Sequence, residues 1–132
     1  MEKVKLQAQY GLYINGEWRN ASDGATYNAE SPADGSHLAV CAQGSGEDVE
    51  AASAAAWEAF KTWKKTTPAQ RAALLNKIAD IIDANKEHLA MVESMDNGKP
   101  IRETMNVDIP MAAEHFRYFA GCILAEEGQA SV

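Results

Sequence analysis

The chain has 132 residues and a formal net charge of -7 at pH 7, with 46% hydrophobic and 23% charged residues. Its length is sufficient for a hydrophobic core, whereas no apolar run reaches the ~20 residues of a membrane span. The acidic balance argues against a nucleic-acid partner, because phosphate binding needs clustered lysines and arginines. The N-terminus lacks the apolar segment of a secretory signal. The two cysteines, without metal-ligand spacing, favour a reduced, cytoplasmic chain.

Residues 1–45 are predicted to form short strands and turns, arranged as two small hairpins. Asn15-Gly16 follows an apolar run and is a strong hairpin signal. The segment SPADGS at 31–36 predicts a second turn, because Pro32 and Gly35 interrupt regular structure. The segment HLAVCA at 37–42 then predicts another strand.

Residues 46–128 change to a helical period and predict about four helices. Ser45 with Asp48, and Thr67 with Gln70, are capping-box pairs at two helix starts. Asn85 is expected to cap a third helix, which ends at Gly98 before Pro100. The last helix is expected to start near Asp108, after a short turn at 101–107. The expected apolar faces are Val49, Ala52, Ala56, Phe60 and Trp63; Leu74, Leu75, Ile78, Ile81 and Ile82; Leu89, Val92 and Met95; and Ile109, Ala112, Ala113, Phe116, Ala120, Ile123 and Leu124.

The residues alone do not predict a complete active site. Cys41 and Cys122 lack a histidine and an acid at a spacing that local geometry would unite. The histidines fall on three different predicted elements, so no metal pattern is visible. Glu114, His115 and Cys122 do not converge on one helix, and Trp57, Phe60 and Trp63 are expected to pack in a core. The sequence Gly44-Ser45-Gly46 is weak evidence for an anion site at a helix N-terminus.

Several motifs, in order and near the expected spacings, resemble the aldehyde dehydrogenase superfamily. They are YINGEW at 13–18, SPADG at 31–35, QRAALLNKIAD at 70–80, DNGKPIRET at 96–104, HFRYFAGC at 115–122 and EEG at 126–128. The last two look closest to the bacterial acetaldehyde dehydrogenase branch. The resemblance implies that residues 1–132 are the N-terminal portion of the cofactor-binding domain of a longer α/β enzyme, with the catalytic domain absent. As it stands, the expected fold class is α+β: short N-terminal β-hairpins followed by about four α-helices.

For function, the resemblance implies an NAD(P)-dependent enzyme that oxidises a small aldehyde to a carboxylic acid. The nucleophile, the base and the residues that hold NAD or NADP would lie downstream, and neither Cys41 nor Cys122 matches the nucleophile's motif. This chain is therefore expected to be a scaffold without catalysis or cofactor of its own. Its expected partner is the rest of the enzyme chain or copies of itself in a homo-oligomer. The alternative is a non-catalytic helical interaction module that self-associates.

The resemblance also implies a monovalent cation site, for sodium or potassium, built from backbone oxygens of Ala29, Glu30 and Asp96. A helix C-terminus suits a hard cation, because its carbonyls are unpaired and carry the negative end of the helix dipole. Here Ser31-Pro32 replaces the common Asn-Pro, and Glu30 replaces an apolar residue. The alternative interpretation of Asn97-Gly98 is a plain helix stop.

Overall fold

The computed structural model describes residues 4–128 and has the expected α+β order, with short strands first and helices afterwards. The strands are β1 (Gln9–Tyr10), β2 (Leu12–Ile14), β3 (Glu17–Arg19), β4 (Thr26–Glu30) and β5 (His37–Ala42). The helices are α1 (Gly46–Trp63), α2 (Pro68–Ala84), α3 (Lys86–Asn97), α4 (Ile101–Glu103) and α5 (Ile109–Leu124), with a π-helical segment, Thr104–Asp108, between α4 and α5. The predicted fold class is confirmed.

The chain forms two compact units. The first extends to Lys65 and also contains Met95–Gly98, and the second contains Thr66–Ser94 and the chain from Lys99 onward. The last turn of α3 therefore belongs with the strands and α1 rather than with the rest of its own helix.

Both predicted hairpins are present in the first unit. Asn15 and Gly16 have φ angles of 54° and 82°, the left-handed values of a type I′ turn, and β2 pairs with β3 in antiparallel register. β4 pairs antiparallel with β5 across the SPADGS turn. The sequence did not predict β1, which pairs parallel with β5 at Gln9 and Val40. A strand of two residues is too short to show a periodic pattern in the sequence. Its partner, β5, also lies about 30 residues away, so local spacing could not predict the pairing.

A buried carboxylate joins the start of α1 to the loop after β3. Asp48 is only 2% exposed and accepts hydrogen bonds from the backbone N–H groups of Ser45 (3.0 Å) and Ser22 (3.1 Å). Both serine hydroxyls also lie within hydrogen-bond distance of this carboxylate. The predicted capping box of Ser45 and Asp48 is confirmed, and its carboxylate additionally fixes Ser22, which sequence spacing could not show.

The second unit is built on the packing of α5 against α2. The predicted capping box of Thr67 and Gln70 starts α2. The fully buried apolar residues of the two helices are all alanines, which let helix backbones approach closely: Ala72, Ala79, Ala113 and Ala120. Arg117 of α5 reinforces the contact by donating to Asp80 and Asp83 of α2.

Two details of the helix predictions are wrong. Leu74, Ile81 and Leu124 were expected on buried faces and are exposed, because the fully buried contacts of α2 and α5 are made by small alanines. The segment 101–107 is not a turn, because α4 and the π-helical segment run directly into α5. Asn85 does lie at the expected position before α3, where its carbonyl accepts from the Leu89 N–H, and its side-chain amide donates to the Ile81 carbonyl at the end of α2.

The aromatic residues of α1 do not form a core. Trp57 is 69% exposed, and Phe60 and Trp63 are also exposed. Trp57 and Phe60 contact each other edge to face, with ring centroids 5.9 Å apart. The prediction of core packing failed because helical periodicity identifies an apolar face but does not supply the layer that covers it.

We expect Asp48 to make stability depend on acid pH. The hydrogen bonds from the Ser45 and Ser22 backbone lower its pKa from 3.8 to about 2. Because the folded-state pKa is depressed, this contribution is present above the ordinary pKa and is lost as the pH falls through about 2. Asp48→Asn should therefore lower stability at neutral pH and flatten the pH dependence between pH 4 and 2, as measured by urea unfolding. Glu47→Gln removes an exposed charge from the same helical turn and is the matched control. An equally steep acid loss in Asp48→Asn would contradict the prediction.

Candidate functional site

The break after α3 lies against the SPADG turn within the first unit. α3 ends at Asn97, and Gly98 has a φ of 77°, the left-handed value predicted for a helix stop. A Cβ added to Gly98 would lie 3.0 Å from Cγ of Pro32. The two segments that the sequence paired, DNGKP and SPADG, are thus neighbours in space.

A β-bulge interrupts the strand ladder beside this turn. The register shifts between Ala29 and Glu30, because Ala29 pairs with Ala39 whereas Glu30 pairs with His37. Leu38 is the extra residue on β5. A bulge locally disrupts the ladder and leaves backbone groups outside regular pairing. The two residues predicted to offer backbone oxygens therefore flank an irregular point of the ladder, a feature that the sequence did not reveal.

The Asp96 charge makes the smallest contribution to the raised pKa of Tyr27 on β4. The pKa of Tyr27 is raised, first by a hydrogen bond with Cys41 and by the Cys41 charge, then by burial, and finally by the negative charge of Asp96. Tyr27 lies two residues before Ala29. Ala29 is half-buried, whereas Glu30 and Asp96 are exposed. Within the first unit, the three predicted cation ligands thus belong to segments that meet around one turn.

The two cysteines contact tyrosines rather than catalytic bases. Cys41 is half-buried opposite Tyr27, and Cys122 is exposed on α5. A hydrogen bond with Cys122 is the largest cause that raises the pKa of Tyr118. Phenol groups with raised pKa values do not deprotonate a thiol at neutral pH. Cys41 therefore packs within the sheet, whereas Cys122 lies on the exposed surface of α5.

Residues 4–128 contain no group of three or more histidines, cysteines and acids placed to hold a metal. His115 lines a shallow apolar cleft with Leu75, Phe116 and Phe119, whereas Cys122 does not. That Glu114, His115 and Cys122 do not form a site stays a prediction.

The N-terminus of α1 does not fit a cofactor phosphate. The Asp48 carboxylate already accepts the Ser45 amide, and its depressed pKa keeps it negatively charged. A second anion would be repelled there. The sequence Gly44-Ser45-Gly46 is therefore a helix entry, which the capping box alone had already favoured.

Among residues 4–128, none of the helices combines the length and the apolar character that a membrane span requires.

The comparisons with known proteins agree on one family. The family model described as "Aldehyde dehydrogenase family" matches residues 18–131. The chain is 48% identical to a long-chain-aldehyde dehydrogenase of Acinetobacter sp, covering 96% of this chain and 25% of that protein. It is 45% identical to an acetaldehyde dehydrogenase of Pseudomonas aeruginosa, covering 97% of this chain and 25% of that protein.

Solved structures give the same result. The crystal structure of PnpE in complex with nicotinamide adenine dinucleotide matches with a TM-score of 0.89 and 41% identity, over 92% of this chain and 25% of that one. The apo structure of an indole-3-acetaldehyde dehydrogenase matches with a TM-score of 0.91 and 32% identity, over 96% and 30%.

The α+β segment described above is thus the N-terminal part of an oxidoreductase fold. The chain belongs to the aldehyde dehydrogenase family, as the sequence predicted. It spans about a quarter of the length of the curated relatives it matches.

Gly98 should be intolerant of any side chain. Gly98→Ala places a Cβ 3.0 Å from Pro32 and forces alanine to a φ of 77°. The left-handed conformation alone costs about 1–2 kcal/mol, and the contact adds to it. Gly24→Ala is the matched control, because Gly24 has a φ of 73° with nothing within 4 Å of an added Cβ. Urea unfolding should show a larger loss for Gly98→Ala than for Gly24→Ala, and equal losses would mean that the Pro32 contact is not tight.

Proposed function

We propose that this chain is the N-terminal scaffold segment of an NAD(P)-dependent aldehyde dehydrogenase that oxidises a small aldehyde to a carboxylic acid, and that it is not catalytic alone. The observation that carries the proposal is the match of nearly the whole chain to about a quarter of each of several aldehyde dehydrogenases. The proposed partner is the remainder of the enzyme chain. A cytoplasmic location is supported by two free cysteines, one of them exposed.

The proposed division of labour follows from the described side chains. When bound to such an enzyme, NAD or NADP accepts the hydride that the aldehyde loses. The two thiols of this chain contact tyrosines, and the one candidate anion site is filled by Asp48. These residues position strands and helices, and we place the nucleophile, the base and the cofactor grip in the remainder of the enzyme.

A second function is favoured by one observation, the exposed aromatic face of α1. Trp57, Phe60 and Trp63 share this helix and are all exposed. Exposed apolar patches mark interaction surfaces or drive association. We propose, as the alternative, a non-catalytic helical module that self-associates into a homo-oligomer through such faces.

Isothermal calorimetry with NAD and with NADP, combined with light scattering on the same sample, tests both functions. We expect no binding of either nucleotide to the 132-residue chain, because the residues that bind the cofactor phosphates are proposed to lie in the remainder of the enzyme. Saturable one-to-one binding would contradict the scaffold proposal. If the aromatic face drives association, Trp57→Gln with Phe60→Gln should lower the measured mass, whereas Glu58→Gln should not. If the original chain and all variants have the mass of a monomer, the alternative function, self-association through the aromatic face, is excluded.

We further propose that backbone oxygens of Ala29, Glu30 and Asp96 contribute to a sodium or potassium site. Two observations support it: the bulge between Ala29 and Glu30, and the Gly98–Pro32 contact. Carbonyl oxygens at a helix C-terminus are suitable ligands for a hard monovalent cation.

Sodium or potassium should then stabilise the folded chain more than choline at equal ionic strength. Preferential binding adds about 0.4 kcal/mol when the free cation equals its dissociation constant, and more above it. Thermal unfolding in the three chlorides measures the effect. Asp96→Asn keeps the backbone oxygen, so it should retain part of the cation effect, whereas Gly98→Ala should abolish it. Identical unfolding curves in all three salts would exclude the site.

A further inference from the structure

The π-helical segment sets the direction in which Thr104 points. In a continuous α-helix each residue advances about 100°, so Thr104 would lie about 180° from Ala113, nine positions later. A single π-turn inserts one residue and rotates the preceding chain by about 100°. Thr104 and Ala113 can then both be buried, as they are in the second unit, although they contact different helices.

Thr104 uses this rotation to bond α3. Its side chain is completely buried, and its hydroxyl donates to the Ala90 carbonyl at 2.9 Å. The Ser94 hydroxyl lies 2.9 Å from the same oxygen atom. Asn106 donates from its side chain to the Arg102 carbonyl at 2.8 Å, which satisfies a backbone oxygen within the irregular turn.

An ion pair spans the same segment from outside. Lys99 follows the helix break, and its Nζ lies 2.7 Å from Oδ2 of Asp108, the last residue of the π-helical segment. The side chains are 50% and 26% exposed. The pair therefore connects the two ends of the stretch Lys99–Asp108.

We propose that Lys99–Asp108 and the π-turn form a conformational latch. In the closed state, the ion pair holds the extra residue of the π-turn, and Thr104 is bonded to α3. In the released state, the ion pair opens, residues 104–108 take regular α-helical hydrogen bonds, and Thr104 rotates away from Ala90 and Ser94. The two states differ by one residue of helix register, which makes the segment a two-state element rather than a gradually deformable one.

Hydrogen exchange resolved by peptide tests the latch. Asp108→Asn and Lys99→Met each remove one partner. Each passage between the two registers breaks the amide hydrogen bonds of residues 99–108, so loss of a partly exposed pair of this kind should make these amides exchange about two- to fivefold faster. Both variants must show the effect, because Asp108→Asn also removes a charge near the start of α5, whereas Lys99→Met does not. Arg102→Gln is the matched control, since it breaks the neighbouring Arg102–Glu103 pair and leaves in place the Glu103 charge, which acts on Lys99. Amides of the α2 interior should remain unchanged in every variant.

Thr104→Val gives an independent measurement. It preserves the shape and removes the hydroxyl, and the same amides should exchange about tenfold faster or more. If Thr104→Val does not fold, the ion-pair variants still decide the proposal. The proposal is overturned if amides 99–108 are unaffected or if only Asp108→Asn responds. It is also overturned if Arg102→Gln accelerates exchange as much as the two ion-pair variants, or if exchange rises uniformly along the chain.

Discussion

The described structure depends most on the left-handed residue at the end of α3. Gly98 has a φ of 77° and would place any Cβ within 3.0 Å of Pro32. Only glycine tolerates both conditions without strain. This single position ends the helix and lies against Pro32 of the SPADG turn. The DNGKP motif therefore has a structural role, because its glycine places the end of α3 beside Pro32. The cation site is proposed at this same place.

Local signals in the sequence predicted the parts of this fold that are locally determined. The two capping boxes, the Asn15-Gly16 hairpin and the stop at Gly98 each depend on residues within about four positions, so their chemistry can be read from spacing. The parallel pairing of β1, the bulge at Leu38 and the Ser22–Asp48 bonds depend on distant partners. Spacing carries no information on these, and they are the features that the prediction missed.

The prediction of a turn at 101–107, where the structure has α4 and the π-helical segment, failed for a different reason. Its residues have ordinary helical character, so periodicity alone suggested a turn followed by a helix. What determines the segment is the need to bury Thr104 against α3 and Ala113 within the same helical run. That requirement appears only when the packing of three helices is known. For the candidate site, the sequence resemblance named Ala29, Glu30 and Asp96, whereas the bulge that supports the proposal became visible only in the strand register.

The buried and exposed residues together explain why a scaffold interpretation fits the energetics. The apolar residues that are fully buried in the described chain are alanines, whereas large side chains such as Trp57, Phe119 and Leu124 remain exposed. Alanines gain little from burial, since the hydrophobic contribution scales with apolar area. Caps, salt bridges and close helix contacts therefore define these elements, while the larger apolar area is left for other surfaces. In a family whose members are about four times as long, such faces are suited to packing against further polypeptide, and the same faces would favour association between copies of the chain alone.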